Sequence, residues 1–148
     1  MALPTSIDLQ IVTPERMLVH EQVDEVEIPG VDGYFGVLPG HTPLLAALAV
    51  GELWYRKGQE KTYLSIAQGF AEVLPDRVSI LAQLAERAED IDVERAEAAR
   101  KRASERLEQK SDVDYERARL ALMKSLTRLQ VSSRIASGAG PRLKRDGV

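Results

Sequence analysis

With 148 residues, of which 44% are hydrophobic, and a net charge of −3, the chain has the length and composition of one or two small folded domains. This composition excludes several classes of protein. No run approaches the roughly 20 apolar residues of a membrane helix, no cysteine is available for disulfides or thiol chemistry, and no part is basic enough for nucleic-acid binding.

The chain starts with Met1–Ser6, which has neither the basic region nor the long apolar region of a secretory signal, so we expect no such signal.

From there to about residue 83 the pattern is that of short β-strands. Ile7, Leu9 and Ile11 alternate with polar residues, which is the period of a half-buried strand. Further short segments, separated by Gly, Pro and Asp turn signals, are Glu25–Ile28, Phe35–Leu38, Glu52–Arg56, Tyr63–Ile66, Phe70–Val73 and Val78–Ala82. Strands of this length and spacing predict an all-β sandwich or barrel.

The pattern changes near Ala85. Residues 92–135 contain neither Gly nor Pro and are rich in strong helix formers. Asp92 is the predicted N-cap of a first helix, with Asp90 as the alternative, and Asp112 is the predicted cap of a second helix. Each helix has an apolar stripe along one side. The residues are Val93, Ala96, Ala99, Ala103 and Leu107 on the first helix, and Tyr115, Ala118, Leu122, Leu126 and Leu129 on the second. Because the connection between them is short, these helices are predicted to form an antiparallel hairpin.

Together these patterns predict an α+β fold, with an N-terminal β-sandwich over residues 1–86 followed by a C-terminal antiparallel two-helix hairpin over residues 87–135. Residues 136–148 are expected to form a disordered tail, because Gly and Pro end helix formation there. The two modules differ in charge: residues 1–85 hold 5 Lys and Arg against 11 Asp and Glu, whereas residues 86–135 hold 12 against 11. We therefore expect the modules to have different partners. The alanine-rich stripe buries little area, so the hairpin is expected to need a surface or a ligand for its stability.

No catalytic motif is evident. His20 and His41 are the only histidines, and neither has the spacing of a metal ligand, so no metal site is predicted. The chain contains no phosphate-binding P-loop and no nucleophile elbow. Gly30–Gly36 is glycine-rich, but it lies between β segments, which favours tight turns over a phosphate loop. The residues favour a protein that is not an enzyme; a small enzyme with a site in the sandwich is the alternative.

Four stretches of the chain resemble the epsilon subunit of bacterial F-type ATP synthases, the counterpart of the chloroplast epsilon and mitochondrial delta subunits. They are Ile11–Arg16, Gly36–Leu45, Gly69–Val73 and Ala85–Asp92. The resemblance implies a non-catalytic subunit of the central stalk, present once per complex. It couples proton-driven rotation to ATP synthesis and inhibits ATP hydrolysis when its helices extend. It also implies a peripheral location at the cytoplasmic face of the bacterial plasma membrane, held there only through the complex.

The same resemblance implies partners for the sandwich. It would dock on the gamma subunit and on the ring of c subunits. Asp32 and Tyr34 would lie at the ring-facing end, where an amphipathic tyrosine suits an interface, and His41 would lie next to the gamma-facing region. The alternative for each residue is an ordinary surface turn.

A basic face is predicted on the second helix. Arg117, Lys124 and Arg128 are spaced i, i+7 and i+11, so they share one side of the helix. The resemblance implies that this side binds an acidic segment of the beta subunit. The alternative is a solvated face without a partner.

ATP is a second ligand that the resemblance implies. Some bacterial family members bind ATP on the folded hairpin through an Ile/Leu-Asp-x-x-Arg-Ala motif, which this chain matches from Ile91 to Ala96. The implied site comprises Glu86, Ile91, Asp92, Arg95, Ala96, Arg102, Lys124 and Arg128. Lys124 departs from the arginine of the best binders and lacks its planar fork. No cofactor is expected to be required, but ATP would be a regulatory ligand, and an ATP-sensing module is the alternative function. For Ile91 and Asp92, a role in the helix cap is the alternative.

Overall fold

The computed structural model describes residues 3–109 and 115–136 of the chain. Eight strands precede two helices within these ranges, which confirms the predicted α+β fold. The strands are β1 (Ile7–Val12), β2 (Met17–Val23), β3 (Glu25–Gly30), β4 (Gly33–Val37), β5 (Leu44–Leu48), β6 (Gly51–Lys57), β7 (Glu60–Leu74) and β8 (Arg77–Arg87). The helices are α1 (Val93–Glu108) and α2 (Tyr115–Ala136), and a 3₁₀ turn at Ala88–Asp90 precedes them.

Two predictions concern residues outside these ranges. The predicted cap Asp112 and residues 137–148 of the predicted tail lie outside the described residues. Ala136, which the pattern places in the tail, is the last residue of α2. Neither described helix combines the length and the apolar character that crossing a membrane requires.

The strands pair in the order β2-β1-β8-β7-β5-β3-β4, and β6 bridges β3 and β7. β7 pairs with β6 along its first half and with β5 along its second half, so this one strand takes part in both layers of the sandwich. The core lies between the layers. Ile7, Leu9 and Ile11 are fully buried within it, which confirms the alternation predicted for β1.

The strand predictions need correction at three places. β2 and β5 are strands that the sequence pattern does not predict. The middle of β2 is polar, and two leucines of β5 are exposed, so neither strand shows clear alternation. Tyr63–Ile66 and Phe70–Val73, predicted as separate strands, both belong to β7. Between them Gln68 and Gly69 adopt positive φ angles of 61° and 136°, which bend the strand without ending it.

The hairpin begins as predicted. The Asp92 carboxylate accepts a hydrogen bond from the Arg95 backbone N–H at 3.1 Å, so Asp92 is the N-cap, whereas Asp90 lies in the 3₁₀ turn. α1 and α2 pack as an antiparallel pair through small residues. Ala96 and Ala103 of α1 and Ala118 of α2 are at most 3% exposed, which allows a close approach of the two helices.

The predicted stripe of α2 is wrong in part. Leu126 and Tyr115 are about half exposed, whereas Ser125 is buried and donates its hydroxyl to the Leu122 carbonyl at 2.9 Å. The reason is that α2 contacts both α1 and the sandwich, so its buried surface is wider than one apolar stripe and includes a polar position.

The hairpin lies folded against the sandwich. Val131 of α2 is fully buried in a second hydrophobic cluster, together with Tyr63 of β7 and with Ala88 and Ile91 of the connecting segment. Trp54 of β6 and Ile135 of α2 pack against this cluster; they are partly buried. This cluster is separate from the sandwich core, so the hairpin is attached to the sandwich by a contact of its own.

Candidate functional site

A cleft of about 650 Å³ lies between the hairpin and the sandwich. The β1–β2 turn and β8 form one wall, and α1 and α2 form the other. Its volume lies within the range of small-molecule sites, about 300–1,000 Å³. The wall includes apolar side chains such as Leu18 and Leu84, and charged side chains from both modules. The cleft can therefore receive a ligand with both an apolar part and a charged part.

Four cations line this cleft: Arg16 from the β1–β2 turn, Arg95 from α1, and Lys124 and Arg128 from α2. Within the described residues, the side chains of Arg16, Arg95 and Lys124 form no hydrogen bond or ion pair. Three acids, Glu15, Glu86 and Asp90, also line the cleft. The cleft thus has a small excess of positive charge, and three of its cations are available to an anion.

The fourth cation is already engaged. The Arg128 guanidinium donates hydrogen bonds to both carboxylate oxygens of Glu86, at 2.7 and 3.2 Å. This bidentate pair joins α2 to β8 and is partly shielded, since the side chains are 22% and 37% exposed. An anion that enters the cleft would therefore compete with Glu86 for Arg128.

The structure brings together half of the predicted ATP residues. Glu86, Arg95, Lys124 and Arg128 line the cleft. Ile91 and Ala96 are buried and support the start of α1, while Asp92 is exposed and caps that helix. Arg102 is exposed two turns beyond Arg95 and does not line the cleft.

Arg16 is a cleft residue that the motif does not include. It belongs to the turn after β1, where the Arg16 backbone N–H donates to the Thr13 hydroxyl at 3.3 Å. No local sequence signal connects this turn with the helices, which lie about 80 residues further along the chain. Only the docking of the hairpin brings Arg16 to the cleft.

The predicted basic face of α2 is divided by the fold. Arg117 is exposed, whereas Lys124 and Arg128 are turned towards the sandwich and line the cleft. In the folded arrangement this face therefore cannot bind an acidic partner as one surface.

The predicted contact residues of the sandwich lie on its surface. Asp32 is exposed in the turn between β3 and β4. Tyr34 is 57% exposed, and its hydroxyl accepts a hydrogen bond from the Glu52 backbone N–H at 3.0 Å. The Nδ1 atom of His41 lies 2.6 Å from the carbonyl oxygen of the adjacent Thr42. Tyr34 is thus held in place while its ring stays available, and His41 has a local hydrogen-bond partner.

An apolar patch crosses the outer surface of β5, β7 and β8. Phe70 and Leu81 are directly opposite each other in the β7–β8 ladder and are 57% and 55% exposed. Leu45 of β5 is 72% exposed and lies diagonally across the β5–β7 ladder from Phe70. Contiguous exposed apolar residues indicate a docking surface more than scattered ones do. The sequence pattern does not predict this patch, because it depends on the pairing of three strands.

Comparison with known families gives two matches along the chain. The family model described as ATP synthase, Delta/Epsilon chain, beta-sandwich domain matches residues 6–88. The model described as ATP synthase, Delta/Epsilon chain, long alpha-helix domain matches residues 89–133.

Curated relatives have the same description. The ATP synthase epsilon chain of Koribacter versatilis is 50% identical over 103 residues, which is 70% of this chain and 72% of the relative. The ATP synthase epsilon chain of Syntrophobacter fumaroxidans is 57% identical over 101 residues, which is 68% of this chain and 75% of the relative.

Two solved structures are similar to the fold. A chain in the cryo-EM structure of the Euglena gracilis mitochondrial ATP synthase, OSCP/F1/c-ring in rotational state 1, has a TM-score of 0.78 and 26% identity, over 86% of this chain and 81% of that chain. A chain of the Tetrahymena thermophila mitochondrial ATP synthase central stalk and c-ring has a TM-score of 0.58 and 11% identity, over 90% and 98% of the two chains. The second likeness concerns the fold alone.

Proposed function

The chain belongs to the delta/epsilon-chain family of ATP synthases, and we propose that it is a non-catalytic subunit of the central stalk, with two roles. It couples proton-driven rotation of the rotor to ATP synthesis, and it inhibits ATP hydrolysis through its C-terminal helices. One observation carries this proposal: the hairpin is attached to the sandwich by a small second cluster and ion pairs, outside the sandwich core. A module attached in this way can leave while the sandwich stays folded.

The sandwich is the part that docks on the stalk. The apolar patch of Leu45, Phe70 and Leu81 supplies a surface that the gamma subunit would cover. The exposed turn with Asp32 and Tyr34 would face the ring of c subunits, and His41 would lie near gamma. Support comes from the Euglena relative, whose assembly contains F1 and a c-ring. Through these contacts one copy per complex would lie peripherally at the cytoplasmic face of the membrane.

The hairpin is the inhibitory part. Lys124 and Arg128 face the cleft in the folded arrangement, so extension of the hairpin would expose them next to Arg117. The complete basic face would then bind an acidic segment of the beta subunit. Such ion pairs are individually weak and sensitive to salt, which suits a reversible contact.

Deletion of residues 90–148 tests the inhibitory role in the assembled complex. We expect faster ATP hydrolysis with coupled proton pumping largely retained, because the docking surfaces of the sandwich remain. A full-length variant in which Arg117, Lys124 and Arg128 are changed to Gln should also relieve inhibition. An Arg119→Gln variant is the matched control, since Arg119 pairs with Glu116 on the outer surface of α2. Hydrolysis that is unchanged by the deletion at every ATP concentration would contradict inhibition.

A second function, ATP sensing, is favoured by the cleft itself. Arg95 and Lys124 are available there, and Arg128 is held by Glu86 at the same place. ATP bound to Arg95 and Lys124 would connect α1 and α2, and a contact with Arg16 of the β1–β2 turn would join it to the sandwich, so it would favour the folded hairpin. Isothermal calorimetry of the purified chain with Mg-free ATP tests this function, with Arg95→Gln as the variant that should lose binding. No heat at millimolar ATP would contradict it.

A further inference from the structure

The last turn of α2 forms a second ion pair with the sandwich, in addition to that of Arg128 with Glu86. The Arg134 guanidinium donates two hydrogen bonds to the Glu52 carboxylate of β6, each 2.7 Å long. The two residues are 82 positions apart in the sequence. Each guanidinium nitrogen meets a different carboxylate oxygen, which is the bidentate geometry of a strong, oriented pair.

The surroundings of this pair are unlike those of a surface salt bridge. The Glu52 side chain is only 9% exposed and that of Arg134 is 35% exposed. The Arg134 guanidinium also lies over the Tyr63 ring, 5.0 Å from its centre. Fully buried Val131 packs in the same cluster as Tyr63. Exposed ion pairs contribute little because water screens them, but a carboxylate shielded to this degree depends strongly on its partner.

Among the described residues, Arg134 is the one cation paired with Glu52. Within the described part of the chain, no second Lys or Arg forms an ion pair with its carboxylate. The hydrogen bonds with Glu52 raise the pKa of Arg134 above its ordinary value, so the guanidinium stays charged at any physiological pH. When the hairpin leaves, both hydrogen bonds between Arg134 and Glu52 break and the two charged groups return to water. Bidentate, charge-assisted hydrogen bonds are among the stronger ones, so their loss opposes release.

The pair differs from the Glu86–Arg128 pair in its position. Glu86 and Arg128 line the cleft, where a bound anion would compete for the arginine. Neither Glu52 nor Arg134 lines the cleft, so a ligand there would not compete directly for either residue. In addition, Arg134 lies just beyond residue 133, where the match to the helical family model ends. The contact therefore involves a residue outside the matched family pattern.

We propose that Glu52 and Arg134 form a latch that fastens the C-terminal end of α2 to the sandwich, independently of any ligand in the cleft. The latch sets the fraction of chains whose hairpin is released. The effect of the latch on ATP hydrolysis rests on the inhibitory role proposed above. The existence of the latch does not depend on that role.

Hydrogen exchange of the purified full-length chain, read by mass spectrometry, tests the latch directly. We expect Arg134→Gln to speed the exchange of the α2 backbone by roughly 10- to 100-fold, with the strands unchanged. The α2 exchange rate of Arg134→Lys should lie between those of the unmodified chain and Arg134→Gln, because lysine keeps the positive charge but lacks the two-pronged guanidinium. Arg119→Gln is the matched control on the same helix and should behave like the unmodified chain. The latch is disproved if Arg134→Gln and Arg119→Gln give the same α2 exchange.

A double-mutant cycle gives a second reading of the same contact. With a latch, Glu52→Gln and Arg134→Gln each speed α2 exchange, and the double variant exchanges much more slowly than the product of the two effects predicts. Purely multiplicative effects would show that the residues act separately and would overturn the proposal. Strand exchange in the same samples reports on the sandwich, so a general loss of folding is distinguished from hairpin release.

The complex then separates the latch from its consequence. Arg134→Gln should lower ATP hydrolysis, because more hairpins would be available to extend. Faster α2 exchange with unchanged hydrolysis would support the latch and contradict the inhibitory role. Unchanged α2 exchange in Arg134→Gln would contradict the latch, whether or not deletion of residues 90–148 raises ATP hydrolysis.

Discussion

The guanidinium of Arg128 and the carboxylate of Glu86, 42 positions apart, join α2 to β8 through two hydrogen bonds across the cleft. One turn before Arg128 on the same helix lies Lys124, whose side chain has no partner among the described residues. An anion in the cleft would therefore find Lys124 available but would have to share or displace Arg128. In the ATP-sensing role proposed above, these two cations would therefore contribute differently to the affinity for phosphate.

Lys124→Arg should strengthen ATP binding by roughly tenfold, since a guanidinium forms two parallel hydrogen bonds with a phosphate where an ammonium acts as a point charge. Lys124→Gln should weaken binding by a similar factor. Calorimetric titration with Mg-free ATP measures both. Arg119→Lys, on the outer surface of α2, is the control and should leave the affinity unchanged. Equal affinities for the Arg, Lys and Gln forms would show that position 124 does not contact the ligand.

The start of α1 offers a test of the N-cap. Asp92→Ala should destabilise the helix by about 1 kcal/mol, because the Arg95 N–H loses its acceptor, and Asp92→Asn should be nearly neutral. Hydrogen exchange of the first turn of α1 measures the change. Asp90→Ala, two residues earlier in the 3₁₀ turn, is the matched control. An effect of Asp90→Ala as large as that of Asp92→Ala would contradict the assignment of the cap.

Gly69 is a backbone position where a side chain should be costly. Its φ angle is 136°, and a Cβ atom would lie 2.9 Å from the Cα of Ala82 and still closer to the Leu81 carbonyl oxygen. We expect Gly69→Ala to lower the free energy of unfolding of the sandwich by roughly 2–4 kcal/mol, from strain and overpacking together. Urea unfolding measures this loss. Gly36→Ala, where a Cβ atom would meet nothing closer than 3.7 Å, should cost much less; similar losses at both glycines would argue against strain at Gly69.

Tyr55 should make the stability of the sandwich depend on alkaline pH. Burial raises the pKa of Tyr55 above its ordinary value of 10.0, and its hydroxyl donates to Glu21 at 2.9 Å. The folded state favours the protonated phenol. The contribution of Tyr55 to the free energy of unfolding is therefore fully present below about pH 10 and is lost as the pH rises through the pKa of Tyr55 in the folded state. Urea unfolding at pH 8 and pH 10.5 should show a smaller fall for Tyr55→Phe than for the unmodified chain. The same fall in both chains would assign the alkaline loss to other groups, and Tyr115→Phe controls for removal of an exposed hydroxyl.

Local patterns predicted much of the fold. The alternation of Ile7, Leu9 and Ile11 placed β1 with its buried face correct, and Asp92 marked the start of α1. Such signals work because strand alternation and helix capping involve residues within a few positions of each other. The local patterns were less informative where a strand is polar or bent. β2 lacks an alternating pattern, and the bend at Gly69 resembles the end of a strand.

The candidate site was predictable only in part. The resemblance implied that Arg95 and Arg102 both belong to an ATP site, but only Arg95 lines the cleft. Arg16 had no local signal at all, because its turn meets the helices only after the hairpin docks. The spacing predicted one basic face on α2, but the fold leaves Arg117 exposed and turns Lys124 and Arg128 towards the cleft. This orientation depends on packing that helical periodicity does not describe.

A β module followed by a helical hairpin can be predicted from the sequence, because apolar periodicity, turn residues and cap residues act over a few positions. The folded position of the hairpin, the cleft with four cations beneath it and the contact between Glu52 and Arg134 become visible only in the folded chain. The two ion pairs that join α2 to the sandwich link residues 42 and 82 positions apart. They depend on how two modules pack, and a carboxylate or an arginine in the sequence gives no indication of its distant partner.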